Sequence, residues 1–333
     1  MRSAVPDTLH GPGGAREGTP DGGGRAASRG SAARHPVARS GRVAGLFSGG
    51  RLTTVVLFLP PALLLFTIFV ILPMGEAAWY SLFNWDGYGE PTRYYGFRNY
   101  ERLFGHRAFT SALINNGLII LVSLLVQLPL ALAMAVILAN RIPGAIFFRL
   151  VFFLPFVLAE VAAGLIWRFV YDGDYGILAE IARWFGYESA HVLADRGWAM
   201  YAILGVIVWK YFGFHMMIYI AGLQAIPSSL FEAARIDGAN RWQVLRYVTL
   251  PSLAPTIRLS VFFAVIGSLQ LFDLVMPMTR GGPSDSTQTM VTYLYSFGMM
   301  RMDIGFGSAV GVVLFVICVV FAFTYKRTAM RND

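Results

Sequence analysis

Of the 333 residues only one is cysteine and only two are lysine, and Asp, Glu, Lys and Arg together make up 14% of the chain. A lone Cys318 excludes an intramolecular disulfide and a thiolate metal cluster. The lysines are Lys210, in Trp-Lys-Tyr, and Lys326, in Tyr-Lys-Arg, and neither ends a Gly-rich run with Ser or Thr behind it. A phosphate-cradling loop needs that lysine to reach the β and γ phosphates, so any ATP chemistry must belong to another polypeptide. The Gly-rich stretch Gly11 to Gly24 has no strand or helix pattern beside it and reads as tail. There is no His-Glu-x-x-His zinc motif and no Gly-x-Ser-x-Gly elbow, and His106, His191 and His215 stand isolated. A soluble globular chain carries roughly 25% charged residues, so this shortage of charge points to lipid as the solvent.

What is abundant is apolar, 56% of residues, gathered into blocks. Six of them run from about Leu52 to Pro73, Asn116 to Ala139, Leu150 to Tyr171, Met200 to Leu223, Leu259 to Met278 and Phe306 to Tyr325. Each approaches the roughly 20 residues that cross a hydrocarbon core, and backbone groups in lipid must be satisfied internally, so the blocks predict helices. The expected fold class is all-α, a polytopic membrane protein with six transmembrane helices. Pro129, Pro155 and Gly213 inside the blocks are tolerable because neighbouring helices share hydrogen bonds. Residues 1–50, rich in Gly, Ala, Ser, Pro and Arg, predict a disordered cytoplasmic tail. The first apolar run starts too late for a secretory signal and predicts a retained anchor. Residues 51–327 then form the six-helix domain, and residues 328–333 a cytoplasmic C-terminus.

The formal charge of +8 does not point to nucleic acid, because the basic residues sit in the tail and in particular connecting segments. With a cytoplasmic N-terminus the inner segments hold Arg51, Arg141, Arg149, Arg235, Arg241, Arg246, Arg258, Lys326, Arg327 and Arg331 besides the tail arginines. The outer ones hold Arg93, Arg98, Arg102, Arg107, Arg183, Arg196, Arg280 and Arg301. The short inner loops and the C-terminus carry the positive-inside bias, with both termini cytoplasmic. Trp79, Tyr80, Trp85, Trp167, Tyr171 and Trp198 fall at the expected outer interfaces.

The inner loop from Ile226 to Pro251 contains Ser229 with Glu232 three positions on, which reads as a capping box opening a short helix with Glu232 in its first turn. Gly238 can close that helix in the left-handed conformation, and Ala239 to Val248 can form a second one, giving an exposed hairpin. Ala233 and Ala234 thin one face enough to enter a cleft.

Glu232-Ala233-Ala234, Gly238, Val248, Leu250 and Pro251 lie at the spacing of the Glu-Ala-Ala loop, and here the sequence resembles the permease subunits of binding-protein-dependent ABC importers. Val248 for the commoner Ile keeps the shape. Leu59-Pro60-Pro61, Asn84-Trp85, Gly96 to Tyr100, Leu154-Pro155, Leu271-Phe272-Asp273 and Gly281-Gly282-Pro283 are similar to the carbohydrate branch, the maltose and glycerol-phosphate type permeases. The likeness covers about residues 52–327. It implies the type I ABC importer permease fold in a bacterial cell membrane, and a subunit that is not itself an enzyme. It also implies that residues 226–251 are a coupling hairpin on a cytoplasmic ATPase, touching it through Glu232, Ala233, Ala234, Asp237, Gly238, Leu250 and Pro251. The implied partners are a second permease in a heterodimer, two ATPase subunits that hold ATP and Mg, an extracytoplasmic solute-binding protein and a sugar. This chain itself would bind no cofactor and no metal.

Ionisable groups at mid-membrane cost about 2.5–3.5 kcal/mol or more against lipid, so Glu160 and Lys210 should face the bundle interior. Gln127, Ser268, Gln270 and Asp273 can join them, with Phe156, Tyr211 and Phe214 as apolar surface. The resemblance implies sugar-lining roles at Phe156, Glu160, Lys210, Tyr211, Phe214, Gly267, Ser268 and Leu271. The charged Glu160 and Lys210 depart from the maltose pattern there. The alternative is that the two form a bridge locking two helices. The rival classes are a secondary transporter using Glu160 as proton carrier, which leaves the hairpin unexplained, and a membrane-embedded enzyme, for which no nucleophile or metal set is recognisable.

Overall fold

The structure, a computed structural model, describes residues 49–139 and 143–329. The expected tail up to residue 48, Arg141 and residues 330–333 lie outside the described residues. The chain divides into two compact units, residues 1–60 and 61–333. Of the first, residues 49–60 are helical.

Among the described residues there is no strand, only one isolated bridge between Phe83 and Tyr94. The helices are α1 (Gly49–Phe66), α2 (Leu72–Tyr80), α3 (Arg98–Gly105), α4 (Arg107–Val122), α5 (Leu128–Ala139), α6 (Ala145–Val157), α7 (Glu160–Val170), α8 (Ile177–Trp184) and α9 (Ala199–Gln224). They continue with α10 (Ser228–Ile236), α11 (Arg241–Val244), α12 (Leu250–Ser252), α13 (Ala254–Leu269), α14 (Val275–Thr279), α15 (Met290–Tyr293) and α16 (Ile304–Ala329). Single π-helical turns join α1 to α2, α4 to α5 and α11 to α12.

Among the described residues four continuous stretches are long and apolar enough to cross a membrane: Thr54–Tyr80, Arg107–Ala139, Ala199–Gln224 and Ile304–Ala329. Two bent pairs, α6 with α7 at 97° and the 241–252 stretch with α13 at 65°, bring the number to six if each is one span. The apolar blocks therefore mark the spans, with three corrections. The block Leu150–Tyr171 is two helices, because Leu158 and Ala159 are extended, with ψ of 139° and 136°. The block Leu259–Met278 is interrupted after Leu269, and its helix begins five residues earlier, at Ala254. The second span starts at Arg107 instead of Asn116, its polar first turns being held by neighbouring segments rather than by lipid.

α9 is the central post. Ala131, Ala135 and Leu138 of α5 pack on its Phe212, Met216, Tyr219 and Ile220. Higher on the same helix, Ile203, Val206 and Ile207 pack with Ala163 of α7 and with Leu274, Val275 and Met278. Alanine on α5 brings the two backbones close, the usual device where lipid supplies no hydrophobic drive between helices. α9 meets α6 still more closely. Gly213 lies so near that a Cβ there would overlap the carbonyl oxygen of Phe152. A third cluster joins Leu103, Phe109 and Ala112 to Tyr293, Phe297 and Phe306, and the Tyr293 hydroxyl sits 2.9 Å from His106 Nδ1. Arg149, counted above as an inner-loop charge, donates to the Leu138 carbonyl at the C-terminal end of α5, where a cation is favoured.

Candidate functional site

The break between α6 and α7 creates the site. Pro155 has no N–H to give the preceding turn, and two residues later the chain leaves the helix, so the last carbonyls of α6 need outside donors. Lys210, on α9 and 1% exposed, supplies them: its Nζ donates to Pro155 O at 3.2 Å and to Leu158 O at 2.7 Å. Glu160 begins the next helix, and its Oε1 accepts from the Tyr211 hydroxyl at 2.7 Å. The ammonium thus stands at a helix C-terminus and the carboxylate at a helix N-terminus, the two placements the peptide dipoles favour. Among the described residues no ion pair joins Glu160 to Lys210. The bridge that stood as the alternative does not form, and two separate contacts take its place, because the broken helix offers carbonyls nearer to Lys210 than the carboxylate.

A second break follows α13. Asn116 Nδ2 donates to Ser268 O at 2.6 Å while its Oδ1 accepts from Met290 N at 2.8 Å. Thr289 Oγ1 donates to Leu271 O at 2.8 Å, and Asn115 holds the carbonyls of Ser286 and Gln288. Irregular backbone at membrane depth is tolerated only when protein satisfies it, and here Asn115 and Asn116 of the second span do so together with Thr289.

Between the two breaks lies a cavity of about 400 Å³. Phe156, Glu160, Tyr211, Phe214, Gly267, Ser268 and Leu271 line it, as do Gln127 and Gln270, whereas Lys210 and Asp273 do not. Phe156 and Phe214 stack with centroids 4.6 Å apart and planes 18° apart. Sequence reasoning passed over Ser123 and His215. His215 faces the cavity with its Nδ1 3.1 Å from Ser260 Oγ, and its spacing from Ile207, Tyr211 and Phe214 along one helical face was the available signal. Ser123 precedes Gln127 by one helical turn, and its Oγ lies 3.5 Å from Gln127 Oε1.

Because Lys210 holds carbonyls, Lys210→Met should act on stability first. Each buried acceptor left without a donor costs about 1–3 kcal/mol. The melting temperature of the purified protein should fall by several degrees, with Lys210→Arg recovering part of the loss. An unchanged melting curve for Lys210→Met would contradict the assignment.

The second feature is the hairpin of residues 226–251. α10 runs from Ser228 to Ile236 with Pro227 at its N-cap and no side-chain cap, so the Ser229–Glu232 capping box does not form and Glu232 sits beyond the first turn. Pro227 and Ser228 start the helix two residues earlier than the serine pattern suggests. The capping box of this loop is instead Asn240 with Gln243, opening α11. Gly238 is left-handed at φ +73°. Glu232, Ala233, Asp237, Gly238 and Pro251 are exposed, and Ala234 and Leu250 half-buried. Ile236 is 86% and Trp242 65% exposed, beside an exposed Tyr247. An apolar, aromatic face of this kind is the anatomy of a surface that meets another protein.

The diacetylchitobiose uptake system permease protein NgcF of Streptomyces coelicolor is 33% identical over 301 residues, covering 86% of this chain and 85% of that one. The sulfoquinovosyl glycerol transport system permease protein SmoG of Agrobacterium fabrum is 34% identical, over 86% of this chain and 92% of its own. A solved bacterial ABC transporter involved in import of the acidic polysaccharide alginate superposes with a TM-score of 0.76 at 22% identity, over 85% of this chain and 97% of that chain, which shows the shared fold. Residues 121–331 match the family described as binding-protein-dependent transport system inner membrane component, and the chain belongs to that family.

Proposed function

We propose that the chain is a translocation subunit of an ATP-driven sugar importer, with hairpin 226–251 seated on a separate cytoplasmic ATPase. The observation that carries this reading is the exposed hairpin, with its spaced Glu232-Ala233-Ala234, Gly238 and Leu250-Pro251 and its uncovered Ile236 and Trp242. ATP and Mg would be held by the ATPase subunits, whose closure the hairpin would carry into the bundle. The bundle would alternate between outward and inward openings of the cavity, a two-state element biased by nucleotide. A related second permease and an extracytoplasmic binding protein complete the assembly, with both termini of this chain in the cytoplasm.

Sugar is supported by the kind of surface the cavity offers. Phe156 and Phe214 supply aromatic surface to C–H groups, while Glu160, Gln127, Gln270 and Ser268 supply acceptors and donors to hydroxyls. The named relatives of known cargo include a diacetylchitobiose permease and a trehalose/maltose permease. The volume suits one or two sugar rings.

The test is uptake into proteoliposomes holding the whole assembly. Labelled disaccharide should accumulate only with ATP on the hairpin side and only with binding protein on the other. Uptake driven by a proton gradient without ATP would instead favour the secondary transporter with Glu160 as proton carrier.

A further inference from the structure

We infer that the cavity accepts solutes that are neutral, or that carry an ammonium group, where they meet Glu160, and turns away anionic ones. The inference rests on reading the cavity as the solute path and adds to it a rule of charge.

Three observations carry it. First, Glu160 supplies the only carboxylate on the cavity wall among the described residues, and no Lys or Arg lines that wall. The rest of the polar lining is uncharged amide and hydroxyl, together with Tyr211 and with His215, whose Nδ1 is engaged by Ser260. Second, the one cation nearby is turned away. Lys210 is buried, does not line the cavity, directs its Nζ to the carbonyls of Pro155 and Leu158, and stands over the Tyr211 ring 5.7 Å from its centroid. A solute in the cavity meets the carboxylate before it meets the ammonium. Third, the carboxylate is fixed and still has capacity. Tyr211 takes one lone pair of Oε1, and a carboxylate has about four such sites, so Oε2 is available to a hydroxyl pair or an amine. Phe156 and Phe214 line the same wall and add no positive charge to it.

A second negative charge brought to about 5 Å from Glu160 at an effective dielectric near 20 lowers occupancy by up to roughly a hundredfold, and the Lys210 ammonium behind the wall offsets part of that. A neutral disaccharide pays nothing of this kind, and an amino sugar gains.

The experiment is equilibrium binding to the purified assembly in nanodiscs without its binding protein, using three labelled disaccharides matched in size: cellobiose, chitobiose with free amines, and cellobiouronate. Wild type should bind the first two and bind the uronate at least about tenfold more weakly. Glu160→Gln, which keeps the size and a Tyr211 contact, should bring the uronate to within about threefold of cellobiose and weaken chitobiose about tenfold. Equal binding of uronate and cellobiose by wild type overturns the rule, as does an unchanged order in Glu160→Gln. Three dipeptides, Ala-Gln, Ala-Lys and Ala-Glu, are run beside the sugars. The same charge order on the peptides alone keeps the rule and removes sugar as the cargo. Binding by neither set removes the cavity as a solute path, and the charge rule with it.

Discussion

Uptake by a Gly238→Pro variant should fall to background while the protein still inserts and purifies at wild-type yield. Gly238 is left-handed at φ +73°, and proline is held near φ −65°, so the turn between α10 and α11 cannot close. The residue is exposed and a Cβ there would meet no atom within 4 Å, and the hydrogen bond proline would remove, from Gly238 N to Arg235 O at 3.1 Å, lies within the hairpin. The damage is therefore confined to the shape of the hairpin. Glu232→Lys should give the same phenotype by another route. A charge pair desolvated at a docking surface costs about 2–5 kcal/mol when one member is lost, which is some thirtyfold to a few thousandfold in affinity. Co-purification of the ATPase subunits measures both variants. Wild-type uptake by either would count against the hairpin as the coupling element.

The second large effect is expected at the meeting of α9 and α6. Gly213→Val puts a branched side chain where even one Cβ overlaps the backbone carbonyl of Phe152. Overpacking a core usually costs about 1–3 kcal/mol, and against backbone it should reach the upper end or beyond. The same displacement would move Pro155 and Leu158 away from Lys210, so the break that frames the cavity would lose its donor as well. The expected outcome is a protein that aggregates on extraction or melts ten degrees or more below wild type, with Gly213→Ala intermediate. A normal melting curve for Gly213→Val would mean that α6 and α9 do not approach as described.

The membrane class and the number of apolar stretches were readable in the sequence because lipid demands long uninterrupted apolar runs, and composition records that directly. The interruptions were not. Leu158 and Ala159 are ordinary helix formers, and what takes them out of the helix is Pro155 behind them together with a lysine 52 residues beyond Leu158 that donates to the freed carbonyls. Hydropathy sees each stretch alone and cannot register a donor on another helix. For the same reason Lys210 could be recognised as an unusual buried charge but not as a ligand of backbone. Asn115, Asn116 and Thr289 escaped notice altogether, since neutral polar residues in an apolar run carry no signal until the carbonyls they satisfy are known.

In the hairpin the pattern of residues located the element and misjudged its ends. Ser229 and Glu232 have the spacing of a capping box, yet Pro227 is at the N-cap and the helix starts too early for the pair to close it. Asn240 and Gln243 have the same spacing and do close one, because Gly238 lets the chain turn before them. Gly238 itself was legible, as glycine is the residue that enters the left-handed region without strain.

Coupling to an ATPase requires residues 226–251 to lie on the cytoplasmic side and to touch it. In a Cys318→Ser background, Ile236→Cys provides a single thiol at the most exposed apolar position of the hairpin. A short thiol crosslinker applied to the assembled transporter in membranes should join that residue to the ATPase, in high yield and in a nucleotide-dependent manner. Modification of the same thiol by an impermeant reagent from the outer side, with no ATPase adduct, would contradict the account.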